Sequence, residues 1–259
     1  MKTLPILNSM LVLASGAGLS AQQANAQQKP HIILIMSDQH RADALGCMGN
    51  ESVISPNIDQ LSREGTLFCN GYSSTPSSTP ARAGLLTGMS PWHHGMLGYG
   101  RVAEEYKYEM PAMLTEQGYY TFGIGKMHWF SQKALHGFQG TLIDESGRAE
   151  SKDFISDYRL WLQLQMPGGD PDLTGIGWNE HRAGIYKLPE ELHPTAWTGK
   201  MACELIRNYD NEKPLFLKVS FARPHSPYDP PQRLLDEYSD KGEFYQFNLS
   251  SCIRQQNSL

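Results

Sequence analysis

The strongest constraint on the fold is a largely apolar run at residues 31–36, which stops abruptly at Ser37, Asp38 and Gln39. A run of this length, rich in β-branched side chains, is typical of a strand buried on both faces, as in a parallel sheet. Three further strands are predicted from similar runs, at residues 66–68, 120–123 and 215–221.

Segments typical of helices separate these strands. The predicted helices cover residues 57–64, 81–87, 111–117, 153–166 and 197–209. Pro111 suits the first turn of a helix, and Gly88 and Gly118 suit the position after a helix end. Alternating strands and helices predict an α/β fold with a mostly parallel central sheet flanked by helices. The alternation weakens at residues 130–192, which we predict to be an excursion over the sheet that forms the rim of a pocket.

The composition limits the class of protein. The chain has 259 residues, enough for one large domain with a core of ordinary size. It has 22 Lys+Arg against 27 Asp+Glu, so its net charge of −5 gives no electrostatic argument for nucleic acid or anionic lipid as a partner. The mean hydropathy is −0.45, and no apolar run approaches the ~20 residues that a bilayer requires, which argues against a membrane span.

The first 26 residues have the pattern of a signal peptide. A short basic start at Lys2 precedes an apolar stretch, and Ala24 and Ala26 form a small-residue cleavage pattern. We therefore expect export to the periplasm or secretion, with residues 27–259 as the mature chain.

The four cysteines, Cys47, Cys69, Cys203 and Cys252, lack the spacing of a zinc site. A Cys47–Cys69 disulfide is one hypothesis for an exported protein, and small buried hydrophobic residues are an equal alternative.

Polar clusters follow three of the predicted strands, where ligands gather in open α/β sheets. The first cluster contains Asp38 and Gln39, the second contains Lys126 and His128, and the third contains His225. A fourth cluster, residues 78–82, lies at the start of a predicted helix, where free N–H groups favour anions. Taken singly, each cluster suits a cap, a turn or a solvated side chain. Together they predict a site for an oxyanion ester and a hard cation.

The same residues resemble a known family. Residues 78–82 (Ser-Thr-Pro-Ala-Arg) with residues 85–88 (Leu-Leu-Thr-Gly) are similar to the signature of the type I sulfatases. Residues 38–61 resemble the opening block of that family, and residues 125–129 and 223–227 resemble its two histidine segments. The general organisation is similar to that of iduronate-2-sulfatase-like members. The resemblance implies an alkaline phosphatase-like fold and a sulfuric ester hydrolase.

The resemblance also implies how residue 78 would act. In the serine-type branch, a maturation enzyme oxidises this serine to formylglycine, whose hydrated aldehyde is the nucleophile. One hydroxyl attacks sulfur and expels the alcohol; loss of the second hydroxyl's proton then releases sulfate and restores the aldehyde. Unmodified Ser78 has no second hydroxyl for that step.

The other family positions carry over to residues of this chain. Arg82 would hold the diol, and Lys126 would neutralise sulfate oxygens. His128 would act as the base, and His225 would contact sulfate and protonate the leaving oxygen. Asp38, Gln39 and the modified Ser78 would bind a calcium ion. Gln39 stands where many members have Asp, a departure that the choline-sulfatase and phosphonate-hydrolase branches share.

Some family positions find no counterpart. The resemblance implies two later metal ligands, an Asp followed by His or Asn, and a later Lys, and no residue after Pro231 matches them. Residues 248–259 lack family character, so a frameshift or premature stop is expected, with the C-terminal part of the domain missing. The expected substrate is a sulfated sugar or aryl ester. The alternatives are a phosphoester or phosphonate hydrolase of the same superfamily and an inactive truncated remnant.

Overall fold

A four-stranded parallel sheet organises the part of the chain that the structure describes, residues 29–239 of a computed structural model. The strands are β1 (Ile32–Asp38), β2 (Tyr120–Gly125), β3 (Gly140–Ile143) and β4 (Leu215–Pro224). Their spatial order is β1-β4-β2-β3, and every pairing is parallel. The predicted α/β class is confirmed. Because the strands are parallel, the carboxyl ends of all four lie at the same end of the sheet.

The predicted helices are all present, with shifted ends. The helices are α1 (Pro56–Glu64), α2 (Ser78–Thr87), α3 (Pro91–His94), α4 (Met110–Glu116), α5 (Asp157–Gln165), α6 (Pro194–Arg207) and α7 (Gln232–Asp236). Short 3-10 turns occupy Gly46–Met48 and Glu190–Leu192. The prediction started α5 too early, because Ser156 caps this helix by accepting a hydrogen bond from the Arg159 N–H.

Strand β1 differs from the prediction in its burial. It pairs only with β4 among the described strands, so it forms an edge of this sheet. Ile33 is 44% exposed and Ile35 is 64% exposed on one face, while Leu34 packs against the core on the other. The prediction of a strand buried on both faces is therefore wrong within residues 29–239. An uninterrupted run of apolar residues does not show whether other elements cover both faces of the strand or only one.

One predicted strand is absent, and one observed strand was not predicted. Residues 66–68 are not a strand, and Phe68 is 79% exposed. The fourth strand is β3, inside residues 130–192, the region predicted to be an excursion over the sheet. Its first residue, Gly140, lies so close to β2 that a Cβ atom would stand 2.4 Å from Phe122 Cε2. A close approach of this kind requires glycine, which weakens the sequence signal of the strand.

The core lies on both faces of the sheet. On one face, Phe216 stacks against Phe138 at a ring-centroid distance of 5.8 Å. On the other face, Leu217 and Val219 pack with Ala202 of α6. Strand β4 is therefore buried on both faces, and its pairing with β1 and β2 places the ends of those two strands beside it.

The cysteine and terminal predictions have different outcomes. Cys47 and Cys203 are free thiols, so the Cys47–Cys69 disulfide is wrong. The predicted signal peptide at residues 1–26 and the tail at residues 248–259 lie outside the described residues. Among the helices of residues 29–239, none combines the length and apolar character needed to cross a bilayer.

Candidate active site

The guanidinium of Arg82 joins the polar clusters that were separate in the sequence. Its Nη2 donates to Asp38 Oδ2 at 3.0 Å, and its Nε donates to Ser78 Oγ at 3.2 Å. Its Nη1 donates to the Lys126 carbonyl oxygen at 2.6 Å and to Ser220 Oγ at 3.1 Å. Arg82 is 5% exposed. One buried side chain on α2 thus connects the ends of β1, β2 and β4.

Asp38 balances the positive charge of this cluster. Its Oδ2 lies 3.0 Å from Arg82 Nη2 and 2.7 Å from Lys126 Nζ. Burial disfavours the charged carboxylate, but the two cations outweigh that effect and hold the pKa of Asp38 below its ordinary value. Burial lowers the pKa of Lys126, and Asp38 partly opposes this. Asp38 and Lys126 therefore form a buried ion pair at the carboxyl ends of β1 and β2.

Ser78 lies at the start of α2, between a cation and an imidazole. Its Oγ is 3.0 Å from His128 Nδ1 and accepts a hydrogen bond from Arg82 Nε. Burial, with positive charge from Arg148, Lys126 and Arg82, lowers the pKa of His128 to about 2. A neutral imidazole whose Nδ1 accepts a hydrogen bond from the Ser78 hydroxyl satisfies both contacts, because the Ser78 oxygen can then still accept from Arg82 Nε. The geometry suits proton transfer between the oxygen of residue 78 and His128.

The remaining predicted residues face the same cavity. His225 is half-buried, and burial together with the charge of Lys126 lowers its pKa. Its Nδ1 lies 3.0 Å from the Ser226 carbonyl oxygen. Gln39 is exposed, and its φ of 57° is in the left-handed region. Both line the cavity, but neither contacts Ser78 directly. The predicted residues that the structure brings together most closely are Arg82, Asp38, Lys126, Ser78 and His128.

The cavity is large, about 1170 Å³, and has an aromatic rim. Tyr72, Tyr99 and Trp178 line it, and the ring of Tyr99 meets that of His128 edge-on at 6.1 Å. Asn179 and His40 add polar groups to the wall. A mainly concave site with a few polar groups at its base is typical of a ligand-binding cavity.

The residues present match a calcium site in chemistry but not in number. Asp38 and Gln39 carry the hard oxygen atoms that calcium prefers, but calcium takes ~6–8 oxygen ligands. Among residues 29–239, no three His, Cys, Asp or Glu side chains are placed to share a metal ion. Asp38 Oδ2 bonds Arg82 and Lys126 instead. The described part of the chain therefore does not form a calcium cage by itself.

Three residues around the site were not predicted from the sequence. Ser220 contacts Arg82 from within β4, where no sequence signal distinguishes it from its neighbours. Glu145 and Arg148 lie just after β3, and Glu145 accepts hydrogen bonds from the Met127 and His128 N–H groups. The rule that found Asp38 and Lys126, polar residues after a strand, would also have found Glu145 if β3 had been recognised.

Comparison with known proteins assigns the family. A sequence model described as Sulfatase matches residues 30–250. The chain belongs to the sulfatase family. It is 38% identical to an arylsulfatase of Clostridium perfringens over 226 residues, which is 82% of this chain and 47% of that protein. It is 28% identical to an N-acetylglucosamine-6-O-sulfatase of Bacteroides thetaiotaomicron, covering 91% of this chain and 41% of that one. The chain thus spans less than half the length of these sulfatases.

Solved structures agree on the fold. A phosphonate monoester hydrolase of Agrobacterium radiobacter superposes with a TM-score of 0.66 at 23% identity, over 84% of this chain and 45% of the hydrolase. A protein solved with its substrate D-glucosamine-2-N,6-O-disulfate superposes with a TM-score of 0.63 at 25% identity, over 85% and 40% of the two chains. The chain therefore has the alkaline phosphatase-like fold that was predicted. The individual site roles stay predictions.

Proposed function

We propose that this protein hydrolyses sulfate esters with residue 78 as the nucleophile, after conversion of the serine to formylglycine. The observation that carries the proposal is the placement of Ser78 Oγ between Arg82 Nε at 3.2 Å and His128 Nδ1 at 3.0 Å. This oxygen lies at the first turn of α2, where unpaired N–H groups favour a negatively charged ligand. The named relatives that are sulfatases support the same reaction class.

Each polar residue of the chain has a proposed task. A hydrated aldehyde at residue 78 would supply the attacking oxygen and the second hydroxyl needed for sulfate release. Arg82 holds the oxygen of residue 78 by its Nε–H, and His128 Nδ1 accepts a proton from that oxygen. Lys126 contributes positive charge beside the sulfate oxygens. His225, which also lines the cavity, donates a proton to the departing alcohol oxygen.

Asp38 and Gln39 are proposed to contribute oxygen ligands to a calcium ion, which in sulfatases would polarise the sulfate group. The remaining ligands would come from parts of the protein outside residues 29–239. Within residues 29–239, Asp38 Oδ2 pairs with the side chains of Arg82 and Lys126.

The proposed substrate is a sulfated sugar or aryl ester. Relatives act on both kinds by name, an arylsulfatase and an N-acetylglucosamine-6-O-sulfatase among them. The rim residues Tyr72, Tyr99 and Trp178 offer flat apolar surfaces against which either ring could stack. Export through the predicted signal peptide, after contact with a maturation enzyme, belongs to the same proposal.

Mass spectrometry of the peptide that contains Ser78 tests the nucleophile. Expression with a serine-type maturation enzyme is expected to remove two hydrogens from Ser78, and the Ser78→Ala variant is expected to stay unchanged. Ser77, at the N-cap position of the same helix, provides an internal control within that peptide. Unmodified Ser78 in protein that still turns over sulfate esters would contradict the proposal.

A substrate comparison tests the reaction class. Matured protein that also carries the C-terminal part typical of its relatives is expected to cleave 4-nitrophenyl sulfate much faster than 4-nitrophenyl phosphate or a phosphonate monoester. The reverse order would favour the phosphoester or phosphonate alternative. Turnover by the longer protein but not by the 259-residue chain would support the inactive-remnant alternative for this chain.

A further inference from the structure

His128 is held in an unusual backbone conformation. Its φ is 62°, in the left-handed region that residues other than glycine seldom occupy. Such a conformation is energetically costly and persists only where surrounding contacts enforce it. The ring of His128 nevertheless meets Ser78 at hydrogen-bond distance, so this backbone decides where the imidazole stands.

A buried carboxylate enforces this backbone. Glu145 Oε1 accepts a hydrogen bond from the His128 N–H at 2.7 Å and another from the Met127 N–H at 3.0 Å. Glu145 is 1% exposed, and it does not contact Ser78 or line the cavity. Two hydrogen bonds from consecutive N–H groups to one charged oxygen are short and directional, so they fix the turn that follows β2.

Glu145 is itself fixed from its other side. Its Oε2 accepts from Arg148 Nη2 at 2.5 Å and from Arg148 Nε at 3.2 Å. Arg148 is 6% exposed and also donates to Glu150, whose N–H donates to Gln132 Oε1 at 2.8 Å. Gln132 returns a hydrogen bond from its Nε2 to the Arg148 carbonyl oxygen at 3.0 Å. The carboxylate is therefore held rigidly between the turn and a closed network.

We propose that Glu145 is a positioning residue, whose carboxylate holds the turn at Met127 and His128 so that the imidazole stays against the oxygen of residue 78. Its effect on turnover rests on the proposed function, whereas its effect on the turn does not. Glu145 acts through the backbone and never touches the substrate. It differs in this from His128, which lines the cavity itself.

A matched control lies in the same part of the chain. Glu109 is also buried, at 8% exposure, and accepts from a backbone N–H, that of Tyr106 at 3.2 Å. It pairs with His136 Nδ1 at 2.7 Å. Replacing either Glu removes a buried carboxylate and loses stability, but only Glu145 is joined to the His128 turn.

Site-resolved amide hydrogen exchange on the unmodified 259-residue chain gives the first test. Glu145→Ala is expected to reduce protection of the Met127 and His128 amides about 10- to 100-fold relative to neighbouring β2 amides. Glu109→Ala is expected to leave these two amides unchanged. Where Glu145→Ala does not fold, Glu145→Gln serves, because its single side-chain oxygen cannot serve both Arg148 and the turn, and an intermediate loss is expected. Unchanged protection in the folded Glu145 variants would overturn the inference.

Kinetics on matured, active protein give the second test. Glu145→Ala is expected to lower kcat about 10- to 100-fold with KM within about 2-fold, because misplacing a group by a fraction of an ångström slows chemistry more than binding. Glu109→Ala is expected to leave kcat within about 2-fold. Equal losses in both variants would overturn the positioning role. A wild-type protein without sulfatase turnover would contradict the proposed function alone, and the exchange result would then decide whether Glu145 holds the turn.

Discussion

A single carboxylate oxygen of Asp38 balances the positive charges that surround it. One carboxylate oxygen serves both Arg82 and Lys126, whose side chains are 4% and 3% exposed. Cations buried this deeply are tolerated only beside an opposite charge, because removing one partner leaves the other without solvent or counter-charge. Ser78 contacts the same Arg82, and His128 contacts Ser78, so the charge on Asp38 also affects the order of the proposed nucleophile.

Replacing Asp38 by Asn tests this balance. Asp38→Asn is expected to lower the free energy of unfolding of the 259-residue chain by about 3–5 kcal/mol, the cost of breaking a buried ion pair. The measurement is urea unfolding followed by circular dichroism. Asp43→Asn is the control, because Asp43 pairs with the exposed side chain of Arg41 and should change stability little. Equal losses in the two variants would contradict the buried-charge argument.

Lys218 provides a second test at the residue scale. It lies within β4, its Nζ is 3.4 Å from Met127 Sδ and 5.2 Å from the ring centroid of Trp129, and burial lowers its pKa to about 7. Below pH 7 both the folded and unfolded states hold the proton, and the cost of burying the charge is fully present. As the pH rises toward 10.5, the folded state has lost the proton and the unfolded state still binds it, so wild-type stability rises.

The Lys218→Met variant removes this titration. It is expected to be more stable than wild type at pH 6, with the difference shrinking as the pH approaches 10. Thermal unfolding across pH 6–10 measures both curves. A difference that stays constant over this range would mean that Lys218 does not titrate between the folded and unfolded states. Lys29, whose Nζ donates to the Gln117 carbonyl oxygen at the surface, provides the control variant Lys29→Met.

Strand ends carry most of the site, and this explains what the sequence could predict. Asp38, Lys126 and His225 follow strands with clear apolar runs, so both the strands and the polar residues after them were found. Glu145 follows β3, whose first residue is the glycine that its close contact with Phe122 requires, and it was missed with its strand. Burial of β1 was also predicted wrongly, because cover over a strand depends on distant elements.

The end of β2 is the element on which Lys126 and His128 depend. Gly125 has a φ of 92°, and a Cβ atom there would stand 2.1 Å from the Ser220 carbonyl oxygen. The same oxygen accepts the Lys126 N–H at 2.7 Å. A side chain at residue 125 would therefore push β2 from β4 where the site begins.

Gly125→Ala is expected to lower the free energy of unfolding by about 4 kcal/mol or more, because the clash is with backbone and the φ is unfavourable. Gly123→Ala, in the same strand, is the matched comparison. Its Cβ would meet Met127 Cε at 2.6 Å, the flexible end of a side chain that can move, so a smaller loss is expected. Denaturant unfolding of both variants measures the difference, and a larger loss at residue 123 would contradict this account of the β2–β4 contact.

On the scale of the whole molecule, the sheet is covered unevenly. Helix α6 covers Leu217 and Val219 of β4. Their register partners on β1, Ile33 and Ile35, lie on the same face but remain exposed. Unpaired edges that carry apolar side chains are sites of association between chains. A single sequence indicates which residues favour a strand, but the uneven cover follows only from the arrangement of all the described elements.

Self-association of the 259-residue chain is therefore expected to involve β1. Ile35→Lys places a charge on the exposed apolar face of the edge strand, where pairing with a second chain would bury it. The concentration at which half the protein is associated is expected to rise about 10-fold, which corresponds to about 1.4 kcal/mol. Sedimentation velocity over a concentration series measures this shift. Leu164→Lys is the control, because Leu164 is 81% exposed on α5, which packs against β3 at the opposite edge of the sheet from β1. A larger shift from Leu164→Lys than from Ile35→Lys would exclude the β1 edge as the associating surface.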